Sequence, residues 1–411
     1  MQTPLNILPN QPYERKGDKA NSDFFEEHLL KIYDARDKSG LSGNYQNFHH
    51  VVVEVELGGA RNYISELLVM TPYNYLRSFE DDAYRYHLLR INNDTPDYIV
   101  REQLNQNQHS KIWSLNQLSK NGRMKPFTRY IGEVINVKDL SEVHAKLTAW
   151  EIRFSQELPA NRSKNHILWT EESIYTWNFT GYIQEQSREK EYDFVKEWSF
   201  DTETIALFEK MKKMQADLEI DKYVLPIDHL ATRVYMHDRE HAILEFLTLS
   251  SYYFWGAYNI GDQNSSTNIA RNIHGFTEIQ SPAKVFTANN TPYYVKHING
   301  LPSPTENFVR NFGRRMHHIA YAVKDGKIGP EENDYKYVDF VVDQLKKCEK
   351  EFLDDVIGSC EEGLKQIFSK SSLFSYIITE YIQRCDDYEG FFTIENVAAL
   401  TAAAGQDDMV N

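Results

Sequence analysis

The chain has 411 residues, of which 41% are hydrophobic and 26% charged, and its formal net charge is −15. That length accommodates two or three domains with cores of their own, and that balance excludes an intrinsically disordered chain. The acidic excess argues against nucleic acid as the main partner, because phosphate binding needs a basic face.

The opening Met1-Gln2-Thr3-Pro4-Leu5 has no basic-then-apolar signal pattern, and no stretch approaches ~18 consecutive apolar residues. A cytoplasmic protein without a membrane partner is expected. Cys348, Cys360 and Cys385 are odd in number and form no CxxC pair, so neither a disulfide framework nor a zinc ribbon is indicated. Residues 1–43 read as a polar extension, helical around Phe24–Lys38. A strand from Phe48 to Val55 follows, then a helix over Ala60–Leu68, hairpins and loops over 72–130, a strand from Tyr130, and a helix over Asp139–Trp150 capped by Asp139. Arg188–Tyr223 has a charged helical pattern and connects two halves. The second half runs as strand 227–235, helix Asp238–Tyr252 with Asp238 at its cap, and alternating strands near 276–287 and 292–298. Strand 316–323, helix Tyr335–Phe352, strands Leu364–Ser369 and Ser375–Arg384, and a helix over Glu395–Ala404 complete it. The order strand, helix, about three strands recurs twice per half. The divisions are an extension at 1–43, a first domain at 44–190, a connector at 191–222 and a second domain at 223–411.

One short phrase recurs within this frame: Phe48-His49-His50-Val51-Val52, Ile227-Asp228-His229-Leu230-Ala231 and Met316-His317-His318-Ile319-Ala320. A fainter copy, Tyr130-Ile131-Gly132-Glu133-Val134, has glycine in place of the histidine. Side chains alternate across a strand, so His229 shares a face with Ala231 and Arg233, and His318 with Ala320. The alanines leave space in front of each imidazole. Glu380 lies between Ile378 and Ile382 on one face of its strand, which is costly for a carboxylate unless it is paired or metal-bound. Two histidines and a carboxylate on three strands form the facial set that leaves coordination positions open on Fe(II). Periodicity alone leaves other readings open: a histidine on an apolar strand is commonly structural, and Glu380 could pair with Arg384 or Arg233.

The C-terminal segments Gly363-Leu364-Lys365-Gln366-Ile367-Phe368-Ser369-Lys370, Ile378-Thr379-Glu380-Tyr381-Ile382-Gln383-Arg384 and Gly390-Phe391-Phe392 … Asn396-Val397 resemble the end of 4-hydroxyphenylpyruvate dioxygenases. Ile227-Asp228-His229 and His318-Ile319-Ala320 are similar to the strands that carry that family's two histidine ligands. The resemblance implies an α+β fold of two tandem vicinal-oxygen-chelate domains. Each would be a pair of βαβββ modules forming an open barrel, with a C-terminal helix closing the pocket. It implies Fe(II) held by His229, His318 and Glu380 in the second domain only, His50 being a remnant. It further implies a small-molecule 2-oxo acid and O2 as reactants, with oxidative decarboxylation coupled to hydroxylation of the same substrate. Gln366, Phe368, Asn299, His317 and Asn396 are the implied substrate-side residues.

Several positions depart from the family pattern. His317 stands where a substrate-contacting Gln is usual, Val397 replaces the Phe that stacks on the substrate ring, and Phe392-Thr393-Ile394-Glu395 replaces a glycine-rich entry to the last helix. The substrate is therefore expected to be an altered aromatic or aliphatic 2-oxo acid. Other chemistry on the same triad (isomerisation or extradiol cleavage) and a non-catalytic binding role are the competing expectations. A homo-oligomer is left open.

Overall fold

The computed structural model describes residues 19–155, 167–184, 196–272, 282–296, 299–329, 335–386, 388 and 390–406. Helices α1 (Lys19–Ser39) and α2 (Leu41–Asn44) lead into strand β1 (Tyr45–Val55). The first half continues with α3 (Ala60–Met70), β2 (Asn74–Glu80), β3 (Tyr84–Arg90), β4 (Asp97–Gln103), α4 (Lys111–Asn116), β5 (Arg129–Val137) and α5 (Leu140–Ala149). It ends with β6 (Leu168–Trp169), β7 (Phe179–Ile183), β8 (Lys196–Trp198) and α6 (Thr202–Asp217). The second half contains β9 (Val224–Arg233), α7 (Arg239–Thr248), β10 (Tyr252–Ile260), β11 (Ser265–Asn272), β12 (Ala283–Ala288) and α8 (Pro304–Phe312). There follow β13 (Arg315–Val323), α9 (Tyr337–Lys347), β14 (Ile357–Ser359), β15 (Leu364–Phe368), β16 (Ile378–Arg384) and α10 (Ile394–Ala404).

The strands form two eight-stranded sheets, ordered β6-β7-β5-β1-β4-β3-β2-β8 and β10-β11-β12-β9-β13-β16-β15-β14. In each, the two module-opening strands pair antiparallel at the centre, β1 with β5 and β9 with β13. Each is flanked by a parallel strand of its own module: β4 beside β1, β7 beside β5, β12 beside β9 and β16 beside β13. A strand, a crossover helix and a return strand beside the first is the βαβββ unit, and four copies give the α+β architecture expected from the resemblance.

Several local expectations change. The strand expected near 276–287 is β12, and residues 273–281 lie outside the described residues. Residues 292–296 form only an isolated bridge through Val295 to Pro302, while 297–298 lie outside the described residues. Strands β10 and β11 escaped the sequence reading because they show no alternation. Tyr252–Ile260 is buried at every position but Asn259, since both faces of this sheet are covered. The side chain of Asp238 does not cap α7; it accepts a hydrogen bond from Arg314 Nε at 2.6 Å instead. Asp139 does cap α5, accepting from the Glu142 amide.

The cysteine expectation is also corrected. Cys360 and Cys385 form a disulfide, with Cα atoms 5.3 Å apart. The antiparallel pairing of β15 with β16 sets Leu364 opposite Arg384, which brings the two flanking cysteines together across 25 residues of chain. No motif spacing encodes such a pairing. No described helix is long and apolar enough to cross a membrane.

The halves are joined by buried polar contacts. Lys284 of β12 pairs with Glu133 of β5, both side chains at most 4% exposed. Arg36 of α1 donates to the carbonyl oxygens of Leu247, Ser250 and Tyr252, each at 2.6 Å. Arg315 donates to the Thr128 carbonyl at 2.8 Å. Such a pair adds little net stability, but removing one partner strands a buried charge at a cost of about 3–5 kcal/mol.

Glu245 on α7 is half-buried, and burial pushes its carboxyl above the ordinary 4.5 to about 7, with Ser173 opposing the shift by a hydrogen bond. A folded-state value above the unfolded one gives stability that is full below pH ~4.5 and lost as pH rises through about 7. Glu245→Gln should therefore stabilise the protein more at pH 8 than at pH 5, by no more than about 3 kcal/mol. Urea midpoints of both proteins at the two pH values check this, and a pH-independent difference would refute it.

Candidate metal centre

The second sheet brings His229, His318 and Glu380 together on its three central strands, β9, β13 and β16. Register decides the arrangement. Ala320 pairs with His229 on one side and with Glu380 on the other, so these residues form one row across the sheet. His318 stands two residues earlier on β13, opposite Ala231. Each ligand-type histidine thus faces an alanine methyl on the neighbouring strand, and the space left over is where the three side chains converge.

His229 Nε2 is 3.1 Å from Glu380 Oε2, His318 Nε2 is 3.3 Å from the same oxygen, and the two Nε2 atoms are 3.3 Å apart. Three ligands about 2.2 Å from one cation, at right angles to one another, lie about 3.1 Å apart. The donor set therefore fits one face of an octahedron. Glu380 Oε1 is buried without a hydrogen-bond partner, leaving further acceptor capacity beside the triad. Among the described residues no other cluster of His, Cys, Asp and Glu is this close-set.

Electrostatics favour a cation at this point. Burial raises the Glu380 carboxyl above its usual range, only partly opposed by His229. Burial disfavours charge on His229, but Glu380 and Asp228 outweigh it and hold the imidazole at about 9. His318 is held well below its ordinary value by burial and by His229. A single positive charge is thus already shared among three buried donors.

The triad is oriented from behind. His229 Nδ1 is 2.7 Å from Asp228 Oδ1, and Asp228 in turn accepts from both terminal nitrogens of Arg384. Arg384 therefore engages Asp228, an alternative the sequence had left open for Glu380. His318 Nδ1 is 2.7 Å from His317 Nδ1. A carboxylate or imidazole on the remote nitrogen fixes the tautomer that points Nε2 at a metal. The rings of Phe391 and Phe392 pack at 5.6 and 5.2 Å from His229. Phe392 is pinned through its backbone, its N–H donating to Tyr258 and its carbonyl accepting from Tyr388.

A cavity of about 40 Å³ adjoins the triad, room for about three waters. Gln366 and Phe368 of β15 line it, and both polar atoms of the Gln366 side chain are buried without partners. The other expected substrate-side residues lie elsewhere. Asn299 is exposed in a turn and accepts from the Leu301 amide at 3.0 Å. His317 is buried behind His318, its ring against Phe308 and Phe368. Asn396 tethers α10, donating to the Leu364 carbonyl at 3.2 Å. Gly358 permits that approach, since a Cβ there would lie 2.4 Å from the Asn396 side chain.

Sequence reasoning missed Arg233, Thr267, Thr287, Val397, Leu400 and Thr401 as lining residues. The α10 group was legible as helical spacing, whereas Thr267 sits on a strand with no readable period.

The first sheet builds no counterpart. His50 is fully buried, 2.6 Å from His49 through the two Nδ1 atoms. A Cβ on Gly132 would come within 1.8 Å of the Phe179 carbonyl oxygen, so close packing of β7 excludes any side chain there. Val52, Phe79, Leu88, Ile99, Ile112 and Ile131 fill the interior.

The fold and site together define the class: two tandem vicinal-oxygen-chelate domains, with a candidate metal centre in the second. The particular arrangement is similar to that of a triple mutant of 4-hydroxymandelate synthase from Streptomyces coelicolor, at TM-score 0.60 and 13% identity, covering 88% of this chain and 98% of that one. A xylose isomerase-like TIM barrel/4-hydroxyphenylpyruvate dioxygenase fusion protein also matches, at TM-score 0.51 and 13% identity. That match covers 88% of this chain and 52% of the fusion, so the chain spans about half its length. No family model and no curated protein sequence matches the chain.

Anaerobic titration with Fe(II) or Co(II) should give one site per chain. Asp228→Asn should weaken it about 10–100-fold through loss of His229 orientation. Ala320→Leu, which places a branched side chain between His229 and Glu380, should abolish it while the variant still melts cooperatively. Undiminished binding by Ala320→Leu would place the ion elsewhere.

Proposed function

We propose that the chain is an Fe(II)-dependent oxygenase acting on a 2-oxo acid, with His229, His318 and Glu380 as the iron ligands. The observation that carries this reading is the convergence of three buried donors, 3.1–3.3 Å apart, on one side of a small, mostly apolar cavity. Iron, when bound, supplies open coordination positions and the electrons for oxidative decarboxylation coupled to hydroxylation of the same molecule. The names of the structural neighbours, 4-hydroxymandelate synthase and a 4-hydroxyphenylpyruvate dioxygenase fusion, support the same class of chemistry.

The chain's own residues bind, orient and exclude water. Gln366 offers an amide donor and an acceptor to the polar atoms of the substrate. Phe368, Phe392, Val397 and Leu400 wall the cavity and keep it dry, which strengthens each polar contact inside. Asp228 and His317 hold the two imidazoles in place as positioning residues. A cavity the size of three waters admits no 2-oxo acid, so α10 moves outward to receive substrate and closes over it. That closure excludes water from the reacting centre.

The test is oxygen uptake by the Fe(II)-loaded protein across a panel of aromatic and aliphatic 2-oxo acids, with CO2 measured in parallel. Equimolar O2 consumption and CO2 release with at least one acid is expected, falling to background in Glu380→Ala. Turnover of a panel member without O2 consumption would replace the reading with isomerisation. O2 uptake without CO2 would point to ring cleavage.

A further inference from the structure

The cavity has a banded wall that the triad chemistry does not use. Arg233 lies four residues beyond His229 on β9, about 13 Å along the strand, with its side chain on the same face. Its register partner on β12 is Thr287, whose partner on β11 is Thr267. Arg233, Thr287 and Thr267 therefore form a polar row across three strands, and all three line the cavity. One strand step nearer the triad, the corresponding row is Ala231, Val285 and Ile269, which is apolar. The wall thus runs from metal donors, through an apolar band, to a cationic row.

The guanidinium of Arg233 is held for recognition at a distance. The side chain is 3% exposed, lies over the Phe308 ring at 5.1 Å, and donates Nη1 to the Pro304 carbonyl at 3.2 Å. One such bond engages one of five N–H donors, and a planar fork is suited to a carboxylate. Of the lining residues, Arg233 and Glu380 carry formal charges, with His318 held neutral. A divalent cation at the triad, less Glu380, plus Arg233, leaves an excess of two positive charges, which a dianion cancels and a monoanion does not.

From this juxtaposition we infer that Arg233 determines substrate choice by binding a second anionic group: the substrate is a 2-oxo acid with a distal carboxylate, separated from its chelating head by a flat apolar spacer such as an aromatic ring. The inference rests on the 2-oxo-acid reading above. The spacer spans the Ala231–Val285 band, with Phe368 and Phe392 as its ring neighbours, while Thr267 and Thr287 donate to the carboxylate beside Arg233.

The test is calorimetric titration of anaerobic Fe(II)-loaded protein with 4-carboxyphenylpyruvate, phenylpyruvate and 4-hydroxyphenylpyruvate, which share one head and ring. The carboxylated probe should bind at least about tenfold more tightly than either other, a preference a single charge-assisted contact supports. Arg233→Gln should erase the preference while leaving phenylpyruvate affinity within about twofold, and Arg233→Lys should keep part of it. If Arg233→Gln fails to fold, Thr267→Val/Thr287→Val carries the test by narrowing the preference. Equal binding of the three probes, or a preference surviving in Arg233→Gln, overturns the role of Arg233 and leaves the 2-oxo-acid reading intact. Binding of none of them by iron-loaded protein overturns both.

Discussion

The antiparallel pairing of β9 with β13 is the constraint on which the rest of the site depends. It sets Ala320 opposite His229 and Ala231 opposite His318, and the parallel pairing of β13 with β16 adds Glu380 to the same row. A one-residue slip of either strand would turn its ligand away from the cavity, because side-chain direction inverts at each step. Backbone register thus holds three donors from distant parts of the chain within 3.3 Å of one another.

Such a cluster is electrostatically expensive, and its surroundings are organised around that cost. Glu380 is 1% exposed and leaves one oxygen without a partner, while Asp228 and Arg384 cancel each other's charge behind His229. The same sheet spends its other buried charges on joining the halves, through Lys284 with Glu133 and through the carbonyl contacts of Arg36 and Arg315. A buried ion pair stabilises little by itself, but it penalises any alternative packing that separates its members.

Duplication explains both the likeness and the difference between the two sheets. Both place two opening strands at the centre and return a parallel strand beside each. Both keep adjacent histidines joined through Nδ1, at 49/50 and at 317/318. In the first sheet, close packing at Gly132 and a filled apolar interior remove the space a site needs. Chemistry is confined to the copy whose interior stayed open beneath α10.

The sequence by itself determined the repeated strand phrase, the strand–helix–strand order, and His229, His318 and Glu380 as the residues to watch. Those features are local: an apolar–histidine–small pattern, or a carboxylate between isoleucines, is written in consecutive residues. Only the tertiary structure decided what depends on register and on chain reversal. Asn299 and His317 shared their neighbourhoods with pocket residues in sequence, but one ends in an exposed turn and the other behind a ligand. Strands β10 and β11, the Cys360–Cys385 bridge and the row of Arg233, Thr287 and Thr267 had no period or spacing to reveal them. They arise because residues far apart in the chain are set side by side by hydrogen bonds between strands, and one sequence read alone carries no record of which strands will pair.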